Sequence, residues 1–350
     1  MTPEEWVELA EQTIVEVLNV HTSATVRELE ARVSNRDWPG YGGIRIDPDF
    51  LSEARRNLEG NGDIESLTRP TKGFHDVTTY HLTGRRNKAA IEETAARKRL
   101  LTARHAGWSL ATKRRPKGLI GEAGERVLIN VLSESDKHSS VRRDTSAILG
   151  QDVQGGTFDT TSYLTIEEQQ RPRVFTVVTE VKNQREWLYP TNPELHKFLY
   201  KSATLSQSTG DTGILPVFIS PFRSSQAYQL GRLFGYFAVR SEHQWVLDRT
   251  PVTQDGFTEV RDELGFQDLR LGEDSTVRFT RALTESLERN ADVVSERWAA
   301  TAAECADLFD TARLLKDAAE IGEIIEEART RVERAIGAPP GYQPITGPRQ

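Results

Sequence analysis

Apolar positions recur at helical spacing from the first turn of the chain. Thr2-Pro3-Glu4-Glu5 supplies an N-cap, a proline at the first helical position and a capping-box glutamate, and Trp6, Leu9, Ala10, Val17 and Leu18 then fall on one face. Thr25-Val26-Arg27-Glu28 repeats the capping box ahead of a short second helix, and Asp47-Pro48 opens a third that carries Phe50, Leu51, Ala54 and Leu58 before Gly60. The period then changes to two: Asp63 to Thr68, a Pro70/Gly73 turn and Val77 to Leu82 predict a hairpin. A polar stretch over 85–118 is partly helical through Ala89 to Leu101. From Leu119 the pattern is mixed. It predicts a helix from Gly121 to Leu132 and strands over Val141–Leu149, Thr157–Ile166 and Arg173–Lys182. A helix opened by Asn192-Pro193 runs to Leu205, followed by a strand over Ile214–Ile219, a helix over Ser225–Phe234 and a short strand at Phe237–Val239. Residues 251–337 return to helical periodicity, with Val277, Leu283, Leu287, Val294 and Trp298 on one stretch and Leu308, Leu314, Ile321, Ile324 and Val332 on the next.

Charge sharpens this division into a multidomain α+β and α/β chain. The net charge of −7 conceals a strong asymmetry: Arg85 to Lys117 holds 11 Lys/Arg against 2 Glu, whereas Pro251 to Pro340 holds 11 against 20 Asp/Glu. Three short helices and a two-stranded ribbon over residues 1–84 resemble a winged helix-turn-helix. The resemblance implies a third helix that reads the major groove through Arg55 and Arg56 and a wing tipped by Lys72; a winged helix used for protein contacts is the bland alternative. The clusters Arg97-Lys98-Arg99 and Lys113-Arg114-Arg115, with Trp108 between them, suit phosphate contact in a basic linker over 85–118, or simply a solvated helix. The acidic helical region over 251–337 is expected to pack against the rest of the chain or a second subunit. A cover for the basic surface is the other reading. The tail from Ala338 carries four prolines and is expected to be disordered.

Other chemistry is excluded by composition. A single cysteine, Cys305, rules out an intramolecular disulfide and a Cys-based zinc site, and the seven histidines lack metal-ligand spacing. No apolar run approaches the roughly 20 residues of a membrane span, so no membrane partner and a cytoplasmic protein are expected.

Candidate chemistry centres on Val177-Val178-Thr179-Glu180-Val181-Lys182-Asn183-Gln184. Strand alternation puts Glu180, Lys182 and Gln184 on one face and turns Val181 into the core. A carboxylate there can hold a hard divalent cation, while a lysine can position water and offset charge on a scissile phosphate. An exposed Glu-x-Lys is more commonly a solvated charged face, so its neighbours decide. Gly121-Glu122-Ala123-Gly124-Glu125 puts Glu122 in the first turn of the helix that opens the core. Gly155-Gly156-Thr157-Phe158-Asp159 puts Asp159 on the strand before Glu180.

With these residues the α-β-β-β-α-β order over 119–240 resembles the PD-(D/E)XK phosphodiesterase superfamily, the restriction-endonuclease-like fold. That resemblance implies metal ligation by Asp159 and Glu180, a lysine assisting the attacking water at Lys182, a helical acid at Glu122 and a polar residue at Gln184. It implies Mg²⁺ as the cofactor, with Mn²⁺ substituting. Two departures stand out: no proline precedes Asp159, and a polar insertion, Glu167 to Arg173, separates it from Glu180. Glu125 could serve in place of Glu122, and Asp152 in place of Asp159. Lys197 and Lys201, on one face of the following helix, are candidates for phosphate contact or plain solvation.

The expected function is a metal-dependent endonuclease acting on double-stranded DNA, restriction- or defence-type by analogy, working as a homodimer through the helical region. A non-catalytic DNA-binding regulator on a nuclease-like scaffold is the second reading. A nuclease for branched DNA or RNA is the third.

Overall fold

The computed structural model describes residues 1–34, 46–71, 74–85, 87–113, 116–167, 171–210, 213–248 and 251–337. Lys72, Arg114, Arg115 and the proline-rich tail lie outside these residues. The protein is mixed α+β. Its N-terminal part runs α1 (Pro3–His21), β1 (Ala24–Thr25), α2 (Val26–Leu29), α3 (Pro48–Gly60), β2 (Ile64–Thr71), β3 (Phe74–Leu82), α4 (Lys88–Gly107) and α5 (Gly118–Glu134). There follow β4 (His138–Thr145), β5 (Ala147–Ile148), β6 (Gln151–Asp152), β7 (Phe158–Ile166), β8 (Arg173–Val181), β9 (Trp187–Leu188), α6 (Pro193–Thr209), β10 (Ile214–Ser220), β11 (Phe222–Arg223), α7 (Ser225–Phe234) and β12 (Phe237–Arg240). The chain closes with β13 (Gln244–Val246), α8 (Pro251–Glu263), β14 (Leu269–Leu271), α9 (Val277–Arg281), α10 (Leu287–Ala312) and α11 (Ala318–Ala335). Most predicted elements are present, with ends shifted by a few residues.

Two compact units form: Met1–Glu122 with His243–Gly272, and Ala123–Glu242 with the chain from Glu273. The acidic stretch expected as one region over 251–337 contributes α8 to the first unit and α9 to α11 to the second.

In the first unit, Thr2 and Glu5 make the reciprocal capping box expected of them. At the second helix the box is only half formed. Thr25 Oγ1 accepts from the Glu28 N–H, but the Glu28 carboxylate turns inward to Lys98 Nζ at 2.6 Å and Arg32 Nε at 3.0 Å. That helix passes into a wide π-type turn over Glu30–Ser34. The expected ribbon gains a third strand, giving the order β1-β3-β2. Leu18, Leu29, Leu51, Ala54 and Ile64 bury its core. A second cluster, around Leu101, Trp108, Phe257, Val260 and Phe266, joins α4 to α8.

The second unit is built on a five-stranded sheet of order β12-β10-β8-β7-β4. β12, β10 and β8 run parallel, and β7 is antiparallel to both β8 and β4. β8 and β10 are buried along most of their length, so apolar residues occupy successive positions, Val177-Val178 in β8 and Val217-Phe218-Ile219 in β10. Leu195, Phe198 and Leu199 of α6 pack with Val178 and Phe218, and Trp298 of α10 donates from Nε1 to Ser206 Oγ at 2.9 Å. Close packing fixes two glycines. At Gly235, which ends α7 at φ 81°, a Cβ would stand 2.3 Å from the Trp298 nitrogen. At Gly124 of α5 it would stand 2.5 Å from Asn183 Cβ, so only glycine lets that helix approach the end of β8. Among the described residues no helix is long and apolar enough to cross a membrane.

Candidate active site

The C-terminal end of β8 gathers the polar groups of the second unit. The β7/β8 register pairs Thr160 with Thr179, and its continuation sets Asp159 opposite Glu180 on neighbouring strands. Asp159 Oδ2 accepts from the Val181 N–H at 2.9 Å, which locks its position against the strand end. Lys182 extends the ladder by one residue, its N–H donating to Ile219 O at 2.8 Å. Alternation then puts Glu180 and Lys182 on the face carrying α6, while Asn183, out of phase, meets Gly124 of α5.

From α6 come Glu194, Lys197 and Lys201. The helix starts where Asn192 caps the Glu194 N–H and Pro193 fills its first position, so Glu194 falls in the first turn. Lys182 Nζ lies 2.9 Å from Glu180 Oε1 and 3.1 Å from Glu194 Oε2, and Lys197 Nζ lies 2.6 Å from Glu194 Oε1. Lys201, 7% exposed in its side chain, donates to Glu180 Oε2 and to Thr157 O, each at 2.7 Å. Its ammonium also stands 5.0 Å from the Phe158 ring centroid. Acids and lysines alternate through the cluster.

Electrostatics follow from this packing. Burial works to lower the Lys182 pKa, but Glu180, helped by Glu194 and Asp159, outweighs it and holds the ammonium above its usual value. Burial likewise works to raise the Glu194 carboxyl, and Lys197 and Lys182 overcome it, leaving its pKa lowered. Lys182 therefore stays an ammonium near neutrality, with its side chain 27% exposed.

Several expectations need correction. Gln184 is not on the strand: β8 ends at Val181 and Gln184 is exposed in the bend beyond it. Lys201 is not a surface phosphate contact but a buried partner of Glu180, and Lys197, though exposed, is paired to Glu194. Glu122 and Glu125 both lie on α5, Glu122 half-buried and Glu125, 5% exposed, with Arg143 Nη2 at 3.9 Å. Asp152 sits exposed on the short β6, hydrogen-bonded with β5. Among the described residues no trio of His, Cys, Asp or Glu is gathered to hold an ion. The donor set that remains, Asp159 with Glu180, is the two-carboxylate kind that suits Mg²⁺, which retains water and takes phosphate oxygens. Glu194 was missed, although Glu194, Lys197 and Lys201 recur at helical spacing behind a clear helix start.

The proposed DNA-contacting residues of the first unit are also partly redirected. Arg97 pairs with Glu259 and with Glu263 at 2.7 Å, and Lys98 is buried against Glu28. Arg99 is partly buried beside Arg69, and burial first, then that neighbour, lowers its pKa. Arg55 lies over the Tyr80 ring at 5.1 Å and donates to its hydroxyl at 2.6 Å. Arg56 and Lys113 are exposed.

One neighbour of the site gives a pH prediction. His196 of α6 is buried, with Nε2 2.7 Å from Pro190 O and Nδ1 without a hydrogen-bond partner among the described residues. Burial lowers its pKa to about 4, the carbonyl opposing, so the folded state holds it neutral. The unfolded chain protonates near 6.5, so this stability is complete above about pH 6.5 and is lost as pH falls from there towards 4. Melting curves from pH 7.5 to 4.5 are expected to show that decline, and His196→Gln is expected to flatten it.

Comparison with known protein families, curated proteins and solved structures finds no match to this chain.

Proposed function

We propose that the protein is a divalent-metal-dependent DNA endonuclease, with a restriction-endonuclease-like core in the second unit and a winged helix in the first. The observation that carries the reading is the cross-strand pair Asp159 and Glu180 with Lys182 at the same strand end. The order α1-β1-α2-α3-β2-β3 supports the winged helix, with α3 and exposed Arg56 towards DNA. When bound at Asp159 and Glu180, Mg²⁺ would supply an acidified water and positive charge at the scissile phosphate. Lys201 keeps Glu180 oriented through Oε2. Lys182, with its side chain 27% exposed, is placed to shift from Oε1 to a phosphate oxygen or the attacking water. Cutting both strands of a duplex calls for two copies of the site, hence a homodimer.

The test is incubation of the full chain with linear, supercoiled, branched and single-stranded DNA in Mg²⁺ and Mn²⁺. Chelator-sensitive cleavage is expected, with Lys182→Ala lowering kcat by about 10²–10³. DNA intact in every condition would sink the reading. A second reading, a DNA-binding regulator with a catalytically silent core, draws on one observation: lysines occupy both oxygens of Glu180. It requires wild type and Lys182→Ala to be equally inert towards DNA that both bind.

A further inference from the structure

On the same edge of the sheet, two strands from Glu180, arginines collect with little acid to meet them. Arg240 ends β12 opposite Ser220, the residue that ends β10, while Lys182 flanks β10 from the other side through its bond to Ile219 O. The parallel registers pair Phe218 with both Glu180 and Ala238, so alternation puts Arg240 on the face of Glu180 and Lys182. The lateral separation is two strand spacings, on the order of 10 Å. Arg223 arrives from β11, directly beyond β10, and lies over the Tyr228 ring of α7 at 4.1 Å, with Arg232 at 6.0 Å from the same ring. Arg278 comes from α9.

The ion pairing is unequal. Arg240 and Arg278 share one carboxylate oxygen, Glu242 Oε1, the latter at 2.6 Å. Arg223 has no ion pair or hydrogen bond among the described residues, and its Nε is shielded from solvent without a partner. Burial first, then Arg240, pulls its pKa down to about 10, the mark of a cation held where its charge is poorly compensated. Tyr228 lies under the guanidinium and Nε is shut off from solvent, so the terminal nitrogens of this half-buried residue are the part left to fork onto a phosphate.

We propose that Arg223, Arg240 and Arg278, with Tyr228 as platform, form an anion site that takes a backbone phosphate of DNA flanking the one presented at Glu180 and Lys182. This deepens the nuclease reading and rests on it for the identity of the scissile phosphate, though the site itself needs only nucleic acid. A phosphate there accepts from the terminal nitrogens of Arg223 and from the exposed Arg278; Glu242 keeps the guanidinium groups of Arg240 and Arg278 in place.

Binding of the full chain to a labelled DNA duplex in chelator, without cleavage, tests the site. Arg223→Gln and, separately, Arg278→Gln are compared with Lys316→Gln, the same charge change at an exposed lysine between α10 and α11. Each arginine variant is expected to bind about tenfold more weakly than wild type and to lose about one unit of the salt slope, beyond any change in the lysine variant. Arg223→Gln is also expected to melt no lower than wild type, since it removes a poorly compensated charge, whereas a merely structural arginine would destabilise when replaced. Arginine variants that fold but bind no more weakly than Lys316→Gln overturn the proposal, as does a fall in melting temperature that accounts for the loss of binding. Cleavage by wild type in Mg²⁺ bears on the nuclease reading alone, so either idea can fail without the other.

Discussion

Glu180→Ala is expected to abolish cleavage and to destabilise the second unit by about 3–5 kcal/mol, because it leaves the buried ammonium of Lys201 without its carboxylate. Both partners lie almost wholly inside, with side chains 10% and 7% exposed and 2.7 Å apart. Lys201 would keep only the Thr157 carbonyl as acceptor. The double replacement Glu180→Gln with Lys201→Met is expected to recover most of the stability and none of the activity, since it removes both charges together. Denaturant melts and cleavage rates on the same preparations separate the two effects. Equal stability of wild type and Glu180→Ala would mean that the pair is solvated in solution, and the orienting role given to Lys201 would fall with it.

Glu28→Gln is expected to cost the first unit a similar amount, about 3–5 kcal/mol, although it touches no proposed catalytic group. Its carboxylate is fully enclosed and accepts from Lys98 and Arg32, so the amide would leave two cations facing each other with no anion between them. The contrast is Arg97→Gln. Its ion pairs with Glu259 and Glu263 are substantially exposed, its side chain at 40%, and solvent screening should hold that loss within about 1 kcal/mol. Denaturant titration of the two variants checks the difference; equal losses would contradict the burial argument.

Local rules placed most of the elements. Capping at Thr2, prolines at Pro3, Pro48 and Pro193, and the β-branched residues of β8 act over a few residues, so the one-dimensional pattern specifies them. The same locality explains the bounds that moved. Strand alternation assigned Gln184 to the Glu180 face, but β8 ends at Val181, where Asp159 takes its N–H and pairing with β7 is finished. The π-type turn after α2 likewise has no signal in the pattern.

What the sequence by itself determined, then, is the order of the longer helices and strands and the presence of an acid and a lysine at a strand end; both follow from propensity and period. The partners of each charge were decided by tertiary structure alone. Lys98 and Lys201 look like surface cations in one dimension, yet each is buried on a carboxylate from another element, Glu28 and Glu180. Arg223 has no such partner among the described residues. Two residues can neutralise each other only when the fold brings them within a few ångströms, and burial then multiplies the energy that depends on it.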